Sequence, residues 1–198
     1  MSGRRVIYCV EIDNENNYIF KKSLRKIQDA GYVPTTVVLD GKHGFIKMVD
    51  KVYPRLPVQM CHFHMQRIII KYIGRNPKHE AAIEIKKLMH TLGKDDGQPF
   101  IDEFSRIKTT YQSLLSKIGD SESKKILSAI NSLNSFLPYL FTYKEHKGNI
   151  PRTTNPLEGG FSHLKEKLNL HRGLNTKRKK KAFRFLALNH PKSKNSDP

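Results

Sequence analysis

The stretch from Thr35 to His64, TTVVLDGKHGFIKMVDKVYPRLPVQMCHFH, constrains the fold of this chain more than any other. It holds two short apolar runs, Thr35 to Leu39 and Pro57 to Met60, and each stops on a chemically reactive residue. The first ends at Asp40, with turn-forming Gly41 and Gly44 behind it; the second runs into Cys61, His62 and His64. Upstream, Arg4 to Ile12 (RRVIYCVEI) is rich in β-branched and aromatic residues and reads as a strand. Tyr18 to Ala30 places Ile19, Phe20, Leu24 and Ile27 at helical spacing, and Gly31 closes it. Strand, helix and strand in such short compass predict a βαβ unit, because parallel strands need a crossover connection. Functional groups gather beyond the carboxyl ends of parallel strands, which is where Asp40 falls.

The remainder of the chain reads as helix. Phe45 to Val52 is a short helix ending before Pro54, and Gln66 to Ile73 another, interrupted by Gly74 and Pro77. From Pro77 to Lys144 apolar residues recur at helical spacing, with breaks at Gly93–Gly97 and Gly119–Ser123. After an irregular passage marked by Pro138, Gly148 and Pro151, TTNPLEGGFSHLKEKLNL starts a further helix. Asn155 suits its N-cap, Pro156 its first position, and Glu158 follows three residues after the cap. His171 to Arg184 then carries Arg172, Lys177, Arg178, Lys179, Lys180, Lys181 and Arg184 and no acid. A short helix around Phe183 to Leu188 precedes a polar tail expected to be disordered.

A net charge of +18 exceeds what solubility requires and points to a polyanionic partner, above all nucleic acid. No apolar run has the length of a membrane span, and the N-terminus lacks a signal-peptide layout. Two cysteines, Cys9 and Cys61, do not make a disulfide framework, so a reducing, cytoplasmic compartment is expected.

Asp40, at the end of a buried strand, is a candidate ligand for a hard divalent cation; the competing reading is an ordinary Asp-Gly turn. Glu158 could complete a carboxylate site or serve only a capping box. Gly159 and Gly160 weaken the second reading, since each costs a helix about 1 kcal/mol and permits close approach to the backbone. Cys61-x-x-His64 is half a zinc site at best, and a core cysteine beside a hydrogen-bonded histidine fits better. The basic segment should contact phosphates in a salt-dependent way without reading bases.

Four segments, VVLDGKHGF, PVQMCHFHMQRII, LPYLFTYKEH and PRTTNPLEGGFSHLKEKLNLHRGL, in that order, resemble the DDE transposases of bacterial insertion sequences, in the Mutator-like group. The resemblance runs over residues 4 to 186. It implies an α/β fold, a ribonuclease-H-like core interrupted by a large all-helical insertion. The implied organisation is a partial core over residues 1–64, the insertion over 65–147, the C-terminal core helix with the basic segment over 148–190, and the tail over 191–198. It further implies that Asp40 and Glu158 are catalytic and bind Mg²⁺ or Mn²⁺, with Cys61 and His64 supporting the site. Arg172, Lys177, Arg178, Lys179, Lys180 and Lys181 would hold DNA.

The implied activity is transposition, by metal-assisted cleavage and joining of DNA strands, on transposon ends and target DNA. A bacterial, nucleoid-associated protein able to form homo-oligomers is the matching expectation. The family's first catalytic Asp lies on a strand with no counterpart here, so a truncated copy with little or no cleavage activity of its own is expected. Asp13, in a polar turn, is a poor substitute. Two alternatives stand beside this reading: a non-catalytic nucleic-acid-binding relic or regulator of transposition, and a zinc module built on Cys61 and His64.

Overall fold

A computed structural model describes residues 8, 10, 14, 16–42, 44–94, 97–146, 150–170, 173 and 175–188. The expected strand over Arg4 to Ile12, together with Asp13, Arg172 and the 191–198 tail, falls wholly or mostly outside these residues. The described part is mostly helical, with one small parallel sheet. The chain divides into two units, Pro34–Thr154, and Met1–Val33 with Asn155–Pro198.

In the Pro34–Thr154 unit, β1 (Val37–Leu39) pairs in parallel with β2 (Val58–Met60), in the register Val37 to Val58 and Leu39 to Met60. The ladder is extended at both ends: Val37 N–H donates to Pro57 O at 3.0 Å, and Cys61 N–H to Leu39 O at 2.8 Å. The connection between them carries α2 (Phe45–Val52), which buries Phe45, Val49 and Val52 at helical spacing. α3 (His62–Ile73) follows β2 directly and begins four residues earlier than the apolar pattern predicts. The cause is local: Cys61 occupies the N-cap position in extended conformation, and the His62 ring is buried rather than solvent-facing.

Next come α4 (Glu80–Thr91), α5 (Gln98–Ile118), α6 (Ser121–Phe136), a 3-10 turn at Leu137–Tyr139, and α7 (Thr142–Glu145). α3 packs on α4 and α6, and α5 packs on α4 and α6. Their buried stripes are Met65, Ile69 and Ile73 on α3, Ile85 and Leu88 on α4, Phe100, Phe104, Ile107 and Leu115 on α5, and Ile126, Ile130 and Leu133 on α6. The apolar run Ile68 to Ile70 buries only Ile69 fully, and Ile70, Leu114 and Ile118 are exposed. Each fully buried side chain of this size stabilises the fold by roughly 1.5–3 kcal/mol relative to exposure. Met60 of β2 joins the same core, so the sheet and the helices share one apolar interior. Side chains seal the helix starts. Asp120 accepts from Ser123 N–H at 2.6 Å, and that bond holds its carboxyl below the usual range. His79 Nδ1 accepts from Ala81 N–H.

In the other unit, α1 (Asn17–Asp29) is capped by Asn16, whose side chain accepts from Ile19 N–H at 2.9 Å. α8 (Asn155–Leu170) packs on α9 (Thr176–Leu188), with Phe161 and Phe183 stacked at 5.9 Å. α9 starts well before the expected Phe183. Asn175 explains this: its side chain accepts from Arg178 N–H at 2.9 Å, so the basic run is helical from its first residues.

Candidate active site

The carboxyl ends of β1 and β2 lie side by side, and the two residues that follow them are Asp40 and Cys61. Asp40 is exposed, and its Oδ1 accepts from Lys42 N–H at 3.2 Å, an Asx-type turn. Gly41 makes the turn possible twice over. Its φ is +81°, where side chains are rarely tolerated, and a Cβ there would meet Met60 Cε at 2.5 Å and Ile68 Cδ1 at 3.3 Å. The Asp40 carboxylate is thus held at the sheet edge by a backbone conformation that glycine alone adopts without strain.

Cys61 is fully buried. Its Sγ accepts from Thr154 N–H at 3.3 Å, lies 3.4 Å from Thr154 Oγ1, and lies 3.3 Å from His64 Nδ1. The same His64 Nδ1 is 3.4 Å from Thr154 Oγ1. The Cys-x-x-His pair therefore closes a triangle on Thr154, the residue immediately before the helix that carries Glu158. His64 is brought there because one helical turn returns the chain from position 61 to position 64. Sequence reasoning named Cys61 and His64 but missed Thr154; the Thr-Thr-Asn run ahead of the helix was its signal.

His62, grouped with them by sequence, points elsewhere. Its Nε2–H donates to Leu140 O at 2.7 Å, and its ring meets Phe141 and Tyr143 edge-on. Burial pushes its pKa below the ordinary histidine range; the Leu140 bond opposes this, and the nearby Arg152 charge adds to it. Gln59, fully buried in β2, also escaped notice. Its Nε2 donates to Met60 O at 2.7 Å and Leu140 O at 2.9 Å, and its Oε1 accepts from Tyr143 N–H at 2.9 Å. Thr142 Oγ1 donates to Val58 O at 2.7 Å. Arg152 braces the approach to α8: its carbonyl accepts from His62 N–H at 2.9 Å, and its guanidinium donates to Gly93 O and lies over the Tyr143 ring. These bonds fix β2, and with it the sheet edge, against residues far along the chain.

Glu158 stands in the first turn of α8, half-buried, in the other unit from Asp40. Among the described residues no group of three or more His, Cys, Asp or Glu is gathered as a ready-made metal site. Cys61 and His64 lie within hydrogen-bond distance of each other and of Thr154. Asp40 offers an open carboxylate, and Mg²⁺ needs only one or two carboxylates beside water and substrate phosphate. Of the predicted DNA-binding cations, Lys177, Arg178 and Lys181 are exposed and Lys179 and Lys180 half-buried along α9, while Arg172 is outside the described residues. No helix among the described residues is long and apolar enough to cross a membrane.

Comparison with known proteins converges on one group. A family model described as "Transposase, Mutator family" matches residues 1–173. The transposase for insertion sequence element IS6120 of Mycolicibacterium smegmatis is 24% identical over 140 residues, which cover 71% of this chain and 40% of that protein. The chain thus spans less than half the length of that curated relative. No solved structure matches it.

Proposed function

Because the chain belongs to the Mutator family of transposases, we propose that it carries part of a DNA-strand-transfer site, with Asp40 and Glu158 as the carboxylates that hold Mg²⁺ or Mn²⁺. The observation that carries this reading is the placement of Asp40 and Cys61 at the adjoining carboxyl ends of two parallel strands. That is where an α/β protein collects its functional groups, and it agrees with a ribonuclease-H-like core interrupted by the helices from α3 to α7. A divalent cation bound there supplies Lewis acidity to a scissile phosphate and lowers the pKa of an attacking water or 3′-hydroxyl.

The chain's own residues would do the rest. Gly41 keeps the Asp40 carboxylate at the sheet edge, open to solvent and to a phosphate. Cys61 and His64 hold Thr154 and so fix the chain at the residue before α8, the helix of Glu158. Lys177, Arg178, Lys179, Lys180 and Lys181 neutralise DNA phosphates. Five successive cations in the first turns of a helix oppose its dipole, an arrangement that a polyanionic partner relieves. The DNA substrates are transposon ends and target duplex, and a homo-oligomer would bring two ends together.

Manganese titration followed by paramagnetic broadening of amide resonances tests the site. Broadening centred on Asp40, Gly41 and Glu158, and lost in Asp40→Ala, is the expected result. Broadening elsewhere, with Asp40→Ala unchanged, overturns it. Salt-dependent DNA binding without any effect of metal would favour the non-catalytic regulator.

A further inference from the structure

The outward face of α3 is unusual for a helix that is otherwise a core element. Met65, Ile69 and Ile73 are buried on its inner side, yet Phe63, Arg67, Ile70 and Lys71 form an exposed stripe on the other. Phe63 is 38% exposed although it lies between His62 and His64, both tied into the protein interior. Its ring meets His64 edge-to-face at 5.9 Å, and the Arg67 guanidinium, one turn on, lies over it at 5.7 Å from the ring centre. A partly exposed aromatic ring paired with a cation is the combination that proteins use to stack a nucleobase and hold the adjoining phosphate. α3 contains no acid, so nothing on the helix itself repels a polyanion. Lys71 shares its groove with Glu122, so the cationic part of the stripe is concentrated at Arg67.

We propose that Phe63 and Arg67 form a docking site for an unpaired nucleotide of DNA, the base stacked on Phe63 and its phosphate on Arg67, with Ile70 as the apolar floor of the next turn. Duplex DNA cannot use such a site without unstacking a base, so the site selects single-stranded or opened ends. Its position follows from the chain: Phe63 is two residues beyond Cys61, at the end of the strand that neighbours β1 and Asp40. The proposal rests on the DNA-transfer reading and adds to it a subsite for the strand beside the scissile phosphate.

The test uses the full chain and oligonucleotides carrying 2-aminopurine, whose fluorescence falls on stacking; the chain has no tryptophan to interfere. Matched single-stranded, frayed-end and blunt duplex DNAs are titrated into wild type, Phe63→Leu and Arg67→Gln. Phe63→Leu keeps an apolar side chain at an exposed position, and circular dichroism confirms its fold. The expected result is loss of quenching and about 10-fold weaker binding of single-stranded and frayed DNA by Phe63→Leu, with duplex affinity unchanged. Arg67→Gln should reduce the single-strand salt slope by about 0.7. Unchanged quenching, or equal weakening on duplex and single strand, overturns the subsite while leaving the transposase reading intact. Wild type that binds no DNA at all overturns both. A change of oligomeric state in Phe63→Leu, with DNA binding intact, overturns it in favour of an interface between copies.

Discussion

Cys61 shows how a residue can look like a ligand in sequence and act as an acceptor in the fold. Its sulfur receives the Thr154 N–H, and removing it strands that donor in a partly buried position. Cys61→Ala should therefore cost roughly 1–3 kcal/mol in urea unfolding. Thr154→Val removes the hydroxyl side of the same triangle, so the double variant should lose less than the sum of the two; strict additivity would show that the three groups do not act together. His62 makes a second prediction. Its folded-state pKa is depressed by burial from the 6.5 of an unperturbed histidine. The unfolded state then binds more protons, and stability rises with pH in that window. It should be full above about pH 6.5 and decline as pH falls towards the folded pKa; His62→Gln should flatten that decline. The place of Asp40 at a strand end was legible in the sequence because a β-branched run halts on Asp-Gly. Gln59 was not. A polar residue between Val58 and Met60 reads as the solvent side of an alternating strand, whereas its amide is satisfied by Leu140 and Tyr143, far along the chain. Distant partners of this kind leave no spacing to read.

The helices followed the opposite course. Where an apolar stripe repeats at 3.6 residues, as in α2, α5 and α6, the periodicity foretold the element, because burial of that stripe is what stabilises it; Leu114 and Ile118 continue the α5 pattern but are exposed. Starts set by a polar side chain were harder to see. α3 begins at His62 because that ring turns inward to Leu140, and α9 begins at Thr176 because Asn175 caps the basic run, ahead of the helix expected around Phe183. α9 makes its own prediction. Lys177, Arg178 and Lys179 sit at the positive end of the helix, each at a cost of about 0.3–1 kcal/mol at low ionic strength. Replacing the three with glutamine should raise α9 helicity by circular dichroism while weakening DNA binding. The slope of log affinity against log salt should fall by about 0.9 for each phosphate that is no longer neutralised. Helicity and affinity falling together would mean that the cations serve the fold, and the DNA assignment for this segment would fail.

At the scale of the whole molecule, the proposed metal ligands are two acids far apart in the sequence. Asp40 belongs to Pro34–Thr154 and Glu158 to the unit formed by Met1–Val33 and Asn155–Pro198. Sequence order could suggest pairing them through the family resemblance, but no local pattern could, since a long helix-rich stretch of chain separates the two acids. The excess of positive charge makes the question measurable. A chain carrying +18 repels divalent cations from its surface in general, so a Mn²⁺ ion that binds must find concentrated negative charge. If both carboxylates hold one ion, Asp40→Ala and Glu158→Ala should each weaken Mn²⁺ binding, and the double variant should fall short of the summed losses by about 0.5–3 kcal/mol. Asp50→Ala, which removes an exposed acid on α2, should leave binding unchanged. Additive losses would place the two acids at separate sites. Asp40 would then be the partner only of its own turn, and Glu158 a capping residue of α8. A shared ion should also add to stability in proportion to its saturation, so thermal unfolding with and without Mn²⁺ should shift for wild type and not for the double variant.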